Sequence, residues 1–230
     1  MTITISSVEH LIKGEEIIEL GGRSNIKYNH IESMKSKIGN DWIMNVYISP
    51  GNRDELVYIH NEITGRDELT NSRTPELWQK TLIRDVFSRI NDEFNIQINE
   101  VFTLDNADLP IYIVDEPNNY SVNGLWGDKY QDPIYLLMSH DEWNINQSWI
   151  TEEDIQKEWK KIFIHEFGHI IGLEHPWDYK DGDYAFKGPE FNDGLTDREL
   201  QDINLKTVMG WNSRYNNNIF DWFQYMDIEA

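Results

Sequence analysis

The chain has 230 residues and a formal net charge of −21, so it is strongly acidic. Such a surface repels nucleic acid and anionic lipid, and neither is expected as a partner. The chain has no cysteine, which excludes disulfides, thiolate zinc ligands and a thiol nucleophile. Its length suits one large domain or two small lobes around a sizeable core.

The first 40 residues are polar and mixed in pattern. We predict an N-terminal arm or a pro-segment for residues 1–40. The opening sequence MTITISSVEHLIKGEE lacks the basic start and apolar core of a signal peptide. No apolar run in the chain reaches the ~18 residues of a membrane span.

The middle of the chain predicts an α+β order. Alternating β-forming residues indicate a strand over 42–49. Residues 74–94 have apolar residues at helical spacing and predict a helix, with Thr74 as a possible cap and Pro75 in its first turn. Further strands are expected at 96–103, 110–114 and 134–139. By composition, residues 118–132 are interpreted as a loop.

A second helix is predicted over 151–173. Thr151 and Asp154 have the spacing of a capping box, and acidic residues in the first turn suit the helix dipole. An apolar face follows at helical spacing. Its members are Ile155, Trp159, Ile162, Phe163, Ile170 and Leu173.

This helix contains the sequence HEFGHIIGLEH. His165 and His169 are four residues apart, so their side chains project from one face, with Glu166 beside them. Gly172 can end the helix and let His175 approach the other two histidines. Three neutral imidazoles leave one zinc position open for water, as in catalytic rather than structural zinc sites. A helix that carries histidines by coincidence is the alternative, but a chance match to the full pattern is on the order of one in thirty thousand.

The pattern H-E-x-x-H-x-x-G-x-x-H is similar to the metzincin zinc signature. The longer sequence HEFGHIIGLEHPWDY resembles the serralysin branch of that clan. TVMGWN at 207–212 resembles its methionine turn, and FDWFQYMDIEA resembles the start of the helix that follows this turn. The resemblance implies a metzincin fold, with a mixed five-stranded sheet packed on the active-site helix and a small C-terminal lower lobe. The catalytic domain would span 41–230, with an upper lobe over about 41–174 and a lower lobe over about 175–230.

The residues favour a zinc-dependent metalloendopeptidase with one catalytic Zn²⁺. Its ligands would be His165, His169 and His175, and Glu166 would be the general base that activates water. The resemblance adds Met209 as a structural residue beneath the metal. A narrow-specificity processing protease and a zinc-bound binding protein without catalysis are the alternatives.

Two positions depart from the serralysin pattern. Trp211 stands where serralysins usually place a tyrosine near the zinc, and indole cannot ligate a metal. Tyr215 is a second candidate for the oxyanion site or the pocket wall. No calcium β-roll follows the zinc motif, so Ca²⁺ is weakly supported, and the acidic stretch 178–194 is its candidate site.

A protein or peptide substrate is expected to bind as an added strand along an edge of the sheet. The candidate edge strand contains Ile134, Tyr135, Leu136, Leu137 and Met138. We expect a monomer. The resemblance implies a secreted protein, although the missing signal peptide keeps a cytoplasmic location open.

Overall fold

In the computed structural model, the structure describes residues 15–20, 23–29, 41–51, 56–61, 66–94, 96–114, 124–127, 135–139, 151–171, 173 and 209. The chain divides into two compact units. One contains Ile38–Phe167, and the other contains Met1–Lys37 together with Gly168–Ala230. Neither α-helix in the described part of the chain combines the length and apolar composition that a membrane span requires.

The unit that contains both ends of the chain has a β-hairpin. Strand β1 (Glu15–Leu20) pairs antiparallel with β2 (Arg23–Asn29), and the register shifts between Ile18 and Leu20. A two-stranded hairpin is marginally stable by itself. Residues 1–37 group in one compact unit with Gly168–Ala230. A pro-segment role for residues 1–40 stays a prediction.

The Ile38–Phe167 unit is built on a mixed seven-stranded sheet. Its strands are β3 (Ile43–Ile48), β4 (Leu56–Asn61), β5 (Arg66–Arg73), β6 (Gln97–Val101), β7 (Leu109–Val114), β8 (Gly124–Gly127) and β9 (Tyr135–Ser139). The order is β4-β5-β7-β3-β6, with β9 paired to β7 and β8 paired to β9. The pairs β3–β6, β3–β7 and β7–β9 are parallel, and the other three are antiparallel.

The core surrounds β7, whose residues are all buried. A strand with parallel neighbours on both sides is covered on both faces, which explains its continuous apolar sequence. Helix α1 (Leu77–Glu93) connects β5 to β6, and α2 (Glu152–Ile170) follows β9. Aromatic contacts join the helices, with ring centroids 5.5 Å apart for Trp78 and Trp159 and 5.9 Å apart for Phe87 and Phe163. Trp78 precedes Phe87 on α1, and their partners Trp159 and Phe163 follow in the same order on α2. The two helices therefore run parallel.

The prediction of a metzincin fold with a five-stranded sheet is wrong, because the described sheet has seven strands. The antiparallel hairpin β4–β5 was not predicted, since Arg66–Arg73 is mostly polar and lacks the β-rich alternation of a strand. Residues 118–132 were interpreted as a loop, yet they contain β8. That short strand begins and ends with glycine, so its local preference for strand structure is weak. Its pairing with β9 stabilises it instead.

The other strands and helices predicted within residues 42–173 are confirmed, with one correction at the start of α1. The helix start predicted from FDWFQYMDIEA lies outside the described residues. Glu76, rather than Thr74, precedes the first helical residue, and its N–H donates to Gln79 Oε1 at 2.8 Å. The Thr74 hydroxyl instead donates to the carbonyl oxygen of Gly51 at 3.0 Å. The Thr74 hydroxyl therefore hydrogen-bonds a backbone carbonyl from another part of the chain instead of capping the helix.

Candidate metal centre

Helix α2 begins with the predicted capping box. The Asp154 N–H donates to Thr151 Oγ1 at 3.1 Å, and the Thr151 N–H donates to Asp154 Oδ2 at 3.0 Å. The Thr151 hydroxyl also donates to Asp154 Oδ2 at 2.6 Å, and this bond, followed by the one from the Thr151 N–H, lowers the pKa of Asp154 by stabilising its ionised form. Glu152, Glu153 and Asp154 place three acids in the first turn, next to the positive end of the helix dipole.

One side of α2 is anchored by a row of aromatic residues four positions apart. The rings of Trp159 and Phe163 stack with centroids 5.7 Å apart, and those of Phe163 and Phe167 with centroids 6.2 Å apart. All three side chains are fully buried. Phe167 also contacts Phe87 of α1 at 5.5 Å. This packing fixes the rotation of the part of α2 that lies in the Ile38–Phe167 unit.

The two described candidate ligands lie on another side of the helix. His165 and His169 are one turn apart on one face, His165 half-buried and His169 only 6% exposed. Glu166 is half-buried, and helical spacing places it between the aromatic row and the face that carries His169. Burial there raises the pKa of Glu166 to about 8, because desolvation penalises the charged carboxylate.

The backbone of Leu173 holds the His169 ring. His169 Nδ1 lies 2.9 Å from the carbonyl oxygen of Leu173, and the Leu173 N–H donates to the Gly168 carbonyl at 2.9 Å. A carbonyl oxygen only accepts, so Nδ1 carries a proton, and in the neutral form of the ring the lone pair lies on Nε2. Such a partner fixes the tautomer and orientation of a metal-binding histidine. His169 therefore fits a zinc ligand that binds through Nε2.

Met209 is fully buried, in the same compact unit as His169 and Leu173. Burial suits both a core methionine and a floor beneath a metal. Its role under the zinc stays a prediction.

Several predicted site residues lie outside the described residues. They are Gly172, His175, Trp211, Tyr215 and the acidic stretch 178–194. Within the described ranges, no three histidine, aspartate or glutamate residues gather at metal-binding distance. Because His175 is not among them, this finding does not bear on the predicted three-histidine site.

The predicted substrate edge strand is corrected. Ile134 lies outside the described residues, and Tyr135–Met138 belong to β9. That strand pairs with β7 on one side and β8 on the other, so it has no open edge for a further strand. Among the described strands, β8 is the edge on that side of the sheet.

One positioning residue was missed by sequence reasoning. Leu173 was assigned only to the apolar face, and its side chain is indeed 5% exposed. Its carbonyl oxygen, which orients His169, gives no sequence signal because every residue has one. Only the way the chain leaves the helix decides which carbonyl meets the ring.

No protein-family model matches the chain. Among solved structures, it is similar to "GM1 bound form of the ECX AB5 holotoxin", with 17% sequence identity, 73% of this chain covered and a TM-score of 0.41. The chain spans 62% of the length of that neighbour. A TM-score of this size does not establish a shared fold. The comparison therefore does not restore the metzincin fold, and it assigns no family or activity.

Proposed function

We propose that this chain is a zinc-dependent endopeptidase that cleaves extended protein or peptide substrates. The observation that carries the proposal is the pair His165 and His169, one turn apart on α2, with Glu166 between them in sequence. The Leu173 carbonyl engages Nδ1 of His169, which orients the ring as in histidines that bind a metal through Nε2. His175 would be the third ligand, by the predicted motif. The likeness of that motif to the metzincin signature adds sequence support.

The residues divide the chemistry between them. A bound Zn²⁺ supplies a water whose pKa is lowered to about 7 and polarises the scissile carbonyl. Glu166 accepts the proton of the attacking water and passes it to the leaving amine nitrogen. Burial raises the pKa of Glu166 to about 8, and a dication held by the histidines would lower it, so that the carboxylate could act as a base near neutral pH.

We place the bound peptide along β8. An extended segment can add to a free strand edge through backbone hydrogen bonds, while its side chains fill pockets. The β8 strand pairs with β9 on one side and is the neighbouring edge in the described sheet. Tyr135–Met138 then support the peptide-binding strand instead of contacting the peptide backbone.

The decisive experiment compares wild type with Glu166→Gln in cleavage of a peptide library, with bound zinc measured in both. We expect the variant to keep its zinc and to lose activity by about 10²–10⁴-fold, the usual contribution of a general base. Glu153→Gln is the matched control. It makes the same change at an exposed position on α2 and should leave cleavage unchanged.

Two outcomes would contradict parts of the proposal. Equal cleavage by Glu166→Gln with zinc retained would remove Glu166 from the reaction. A wild type that holds zinc but cuts no library peptide would favour a zinc-bound binding protein. If cleavage occurs, the breadth of the cleavage profile separates a general endopeptidase from a narrow processing protease.

A further inference from the structure

An open groove lies between the N-terminal halves of α1 and α2. Its volume is about 710 Å³, within the range of ligand-binding clefts. Trp78 and Leu82 line it from α1, and Leu77 stands at its rim with 79% of the residue exposed. An exposed leucine beside an apolar cleft is the arrangement that an amphipathic helix can cover. None of these residues belongs to the candidate metal centre.

The two sides of the groove differ in charge. Glu76 and Asp85 line the α1 side, which therefore carries two negative charges. Lys157 and Lys160 line the α2 side together with Glu153. Lys157 Nζ lies 2.7 Å from Glu153 Oε1, so these two charges offset each other. A ligand with a cationic edge is therefore attracted to the two carboxylates of the α1 side.

We propose that this groove binds a cationic amphipathic helical peptide. The apolar face of the peptide would cover Leu77 and Trp78, and its Lys or Arg residues would lie along Glu76 and Asp85. The net charge of −21 also attracts cationic peptides from a distance and raises their association rate. This binding is independent of the proposed peptidase activity, because it uses neither the metal nor Glu166.

The test uses two synthetic peptides of about 18 residues, long enough to form a helix. One contains only Leu and Lys in a 3.6-residue pattern, and the other contains Leu and Glu in the same pattern. Each carries a fluorescent label, and binding to the full chain is followed by anisotropy. We expect the Leu/Lys peptide to bind and the Leu/Glu peptide not to bind. Equal or tighter binding of the Leu/Glu peptide would overturn the proposal.

Paired variants locate the site. Asp85→Lys should weaken binding of the Leu/Lys peptide by about tenfold, since it reverses a charge in the groove. Asp105→Lys changes the net charge equally at an exposed position outside the groove, and should weaken binding by less than about twofold. Equal effects of the two variants would mean only general attraction to an acidic protein, and would overturn the groove as the site.

Two further measurements test the apolar contact and the occupant. Leu77→Ala should weaken binding by about fivefold with little change in stability, and unchanged binding would overturn the proposal. Sedimentation without peptide should show no association that depends on Leu77. Such association would make a second copy of the chain the occupant instead. The proposed peptide binding does not use the metal, so it should be equal with and without a metal chelator. Absence of peptide binding would therefore not contradict the peptidase proposal, which the cleavage assay tests separately.

Discussion

At the residue scale, Glu166 and His169 are the candidate site residues whose surroundings the structure describes in most detail. The four-residue spacing predicts that His165 and His169 share a face. The structure adds the protonated nitrogen of His169 and the burial of Glu166. Both additions depend on what surrounds α2. The sequence motif identifies candidate groups, and their protonation follows from packing.

Outside the candidate site, Gly51 is another residue whose role depends on its tertiary surroundings. It has a φ of 71°, and a Cβ at this position would overlap the backbone nitrogen of Thr74. Its N–H donates to Ser49 Oγ at 3.1 Å, and the buried hydroxyls of Ser49 and Ser72 lie 3.0 Å apart. These contacts join the end of β3 to the segment that begins α1.

We predict that Gly51→Ala lowers the free energy of unfolding by about 3 kcal/mol, through a strained φ and a backbone clash. Urea unfolding followed by circular dichroism measures the change. Thr74→Ala is the control, because it removes only an exposed hydrogen bond to Gly51 and should cost less than about 1 kcal/mol. Equal losses in the two variants would argue against the close approach.

At the element scale, β6 is a sheet edge that a side chain partly covers. Asn91 of α1 accepts a hydrogen bond from the Ile98 N–H at 2.6 Å and donates to the Ile98 carbonyl at 3.0 Å. A side-chain amide thereby occupies the position that a neighbouring strand would take. Open strand edges promote association, and native proteins often cover them.

Asn91→Ala should lower the free energy of unfolding by about 2 kcal/mol, because it leaves both Ile98 backbone groups without this partner. Chemical denaturation measures the loss, and light scattering after mild heating should show earlier aggregation than in wild type. Asn106→Ala is the comparison, since Asn106 makes an exposed side-chain hydrogen bond to Thr103. Should both variants behave alike, Asn91 would not protect the edge.

A second contact links α1 to the same strand. Arg84 donates two hydrogen bonds of 2.7 Å to the Glu100 carboxylate. The side-chain hydrogen bond from Arg84 is the main cause that lowers the pKa of Glu100 below its ordinary value of 4.5. A lowered folded-state pKa gives stability that is present above the unfolded-state pKa and is lost as the pH falls through the folded-state value.

Glu100→Gln should therefore destabilise the protein at pH 7 and have progressively less effect below about pH 4. The measurement is the free energy of unfolding of both proteins from pH 7 to pH 3. The loss at pH 7 should stay within about 1 kcal/mol, since the Arg84 side chain is 51% exposed and water screens the pair. A difference that grows on acidification would have the wrong sign and would contradict the assignment.

At the scale of the whole molecule, charge is the dominant property. The chain has 41 acidic and 20 basic residues, and close packing of like charges opposes the folded state. Local pairs such as Arg84 with Glu100 offset only part of this repulsion. Mobile ions screen it further, with a Debye length of about 8 Å at physiological ionic strength.

We predict that the midpoint of thermal unfolding rises by several degrees between about 10 mM and 150 mM NaCl. Differential scanning fluorimetry at constant pH measures the change. KCl should act like NaCl if screening is the cause, whereas a salt-specific effect would separate the two. A midpoint that stays flat or falls would show that net repulsion does not limit stability.

The sequence by itself determined the elements with strong local patterns. Helix α1, the capping box of α2 and the buried strands β3 and β7 follow from periodicity and turn chemistry, which act within a few residues. It also predicted His165, Glu166 and His169 as site residues, because helical spacing brings the two histidines to one face with Glu166 beside them.

Only the tertiary structure decided the rest. The β4–β5 hairpin and β8 form through pairing with other strands, which makes the described sheet seven-stranded. The prediction of a five-stranded metzincin sheet was therefore wrong. Because β8 pairs with β9, β9 is not the edge strand that was predicted. The pKa of Glu166 and the orientation of His169 likewise depend on burial and on a carbonyl supplied where the chain leaves the helix. Long-range contacts set these properties, and local sequence preference does not encode which partners will meet.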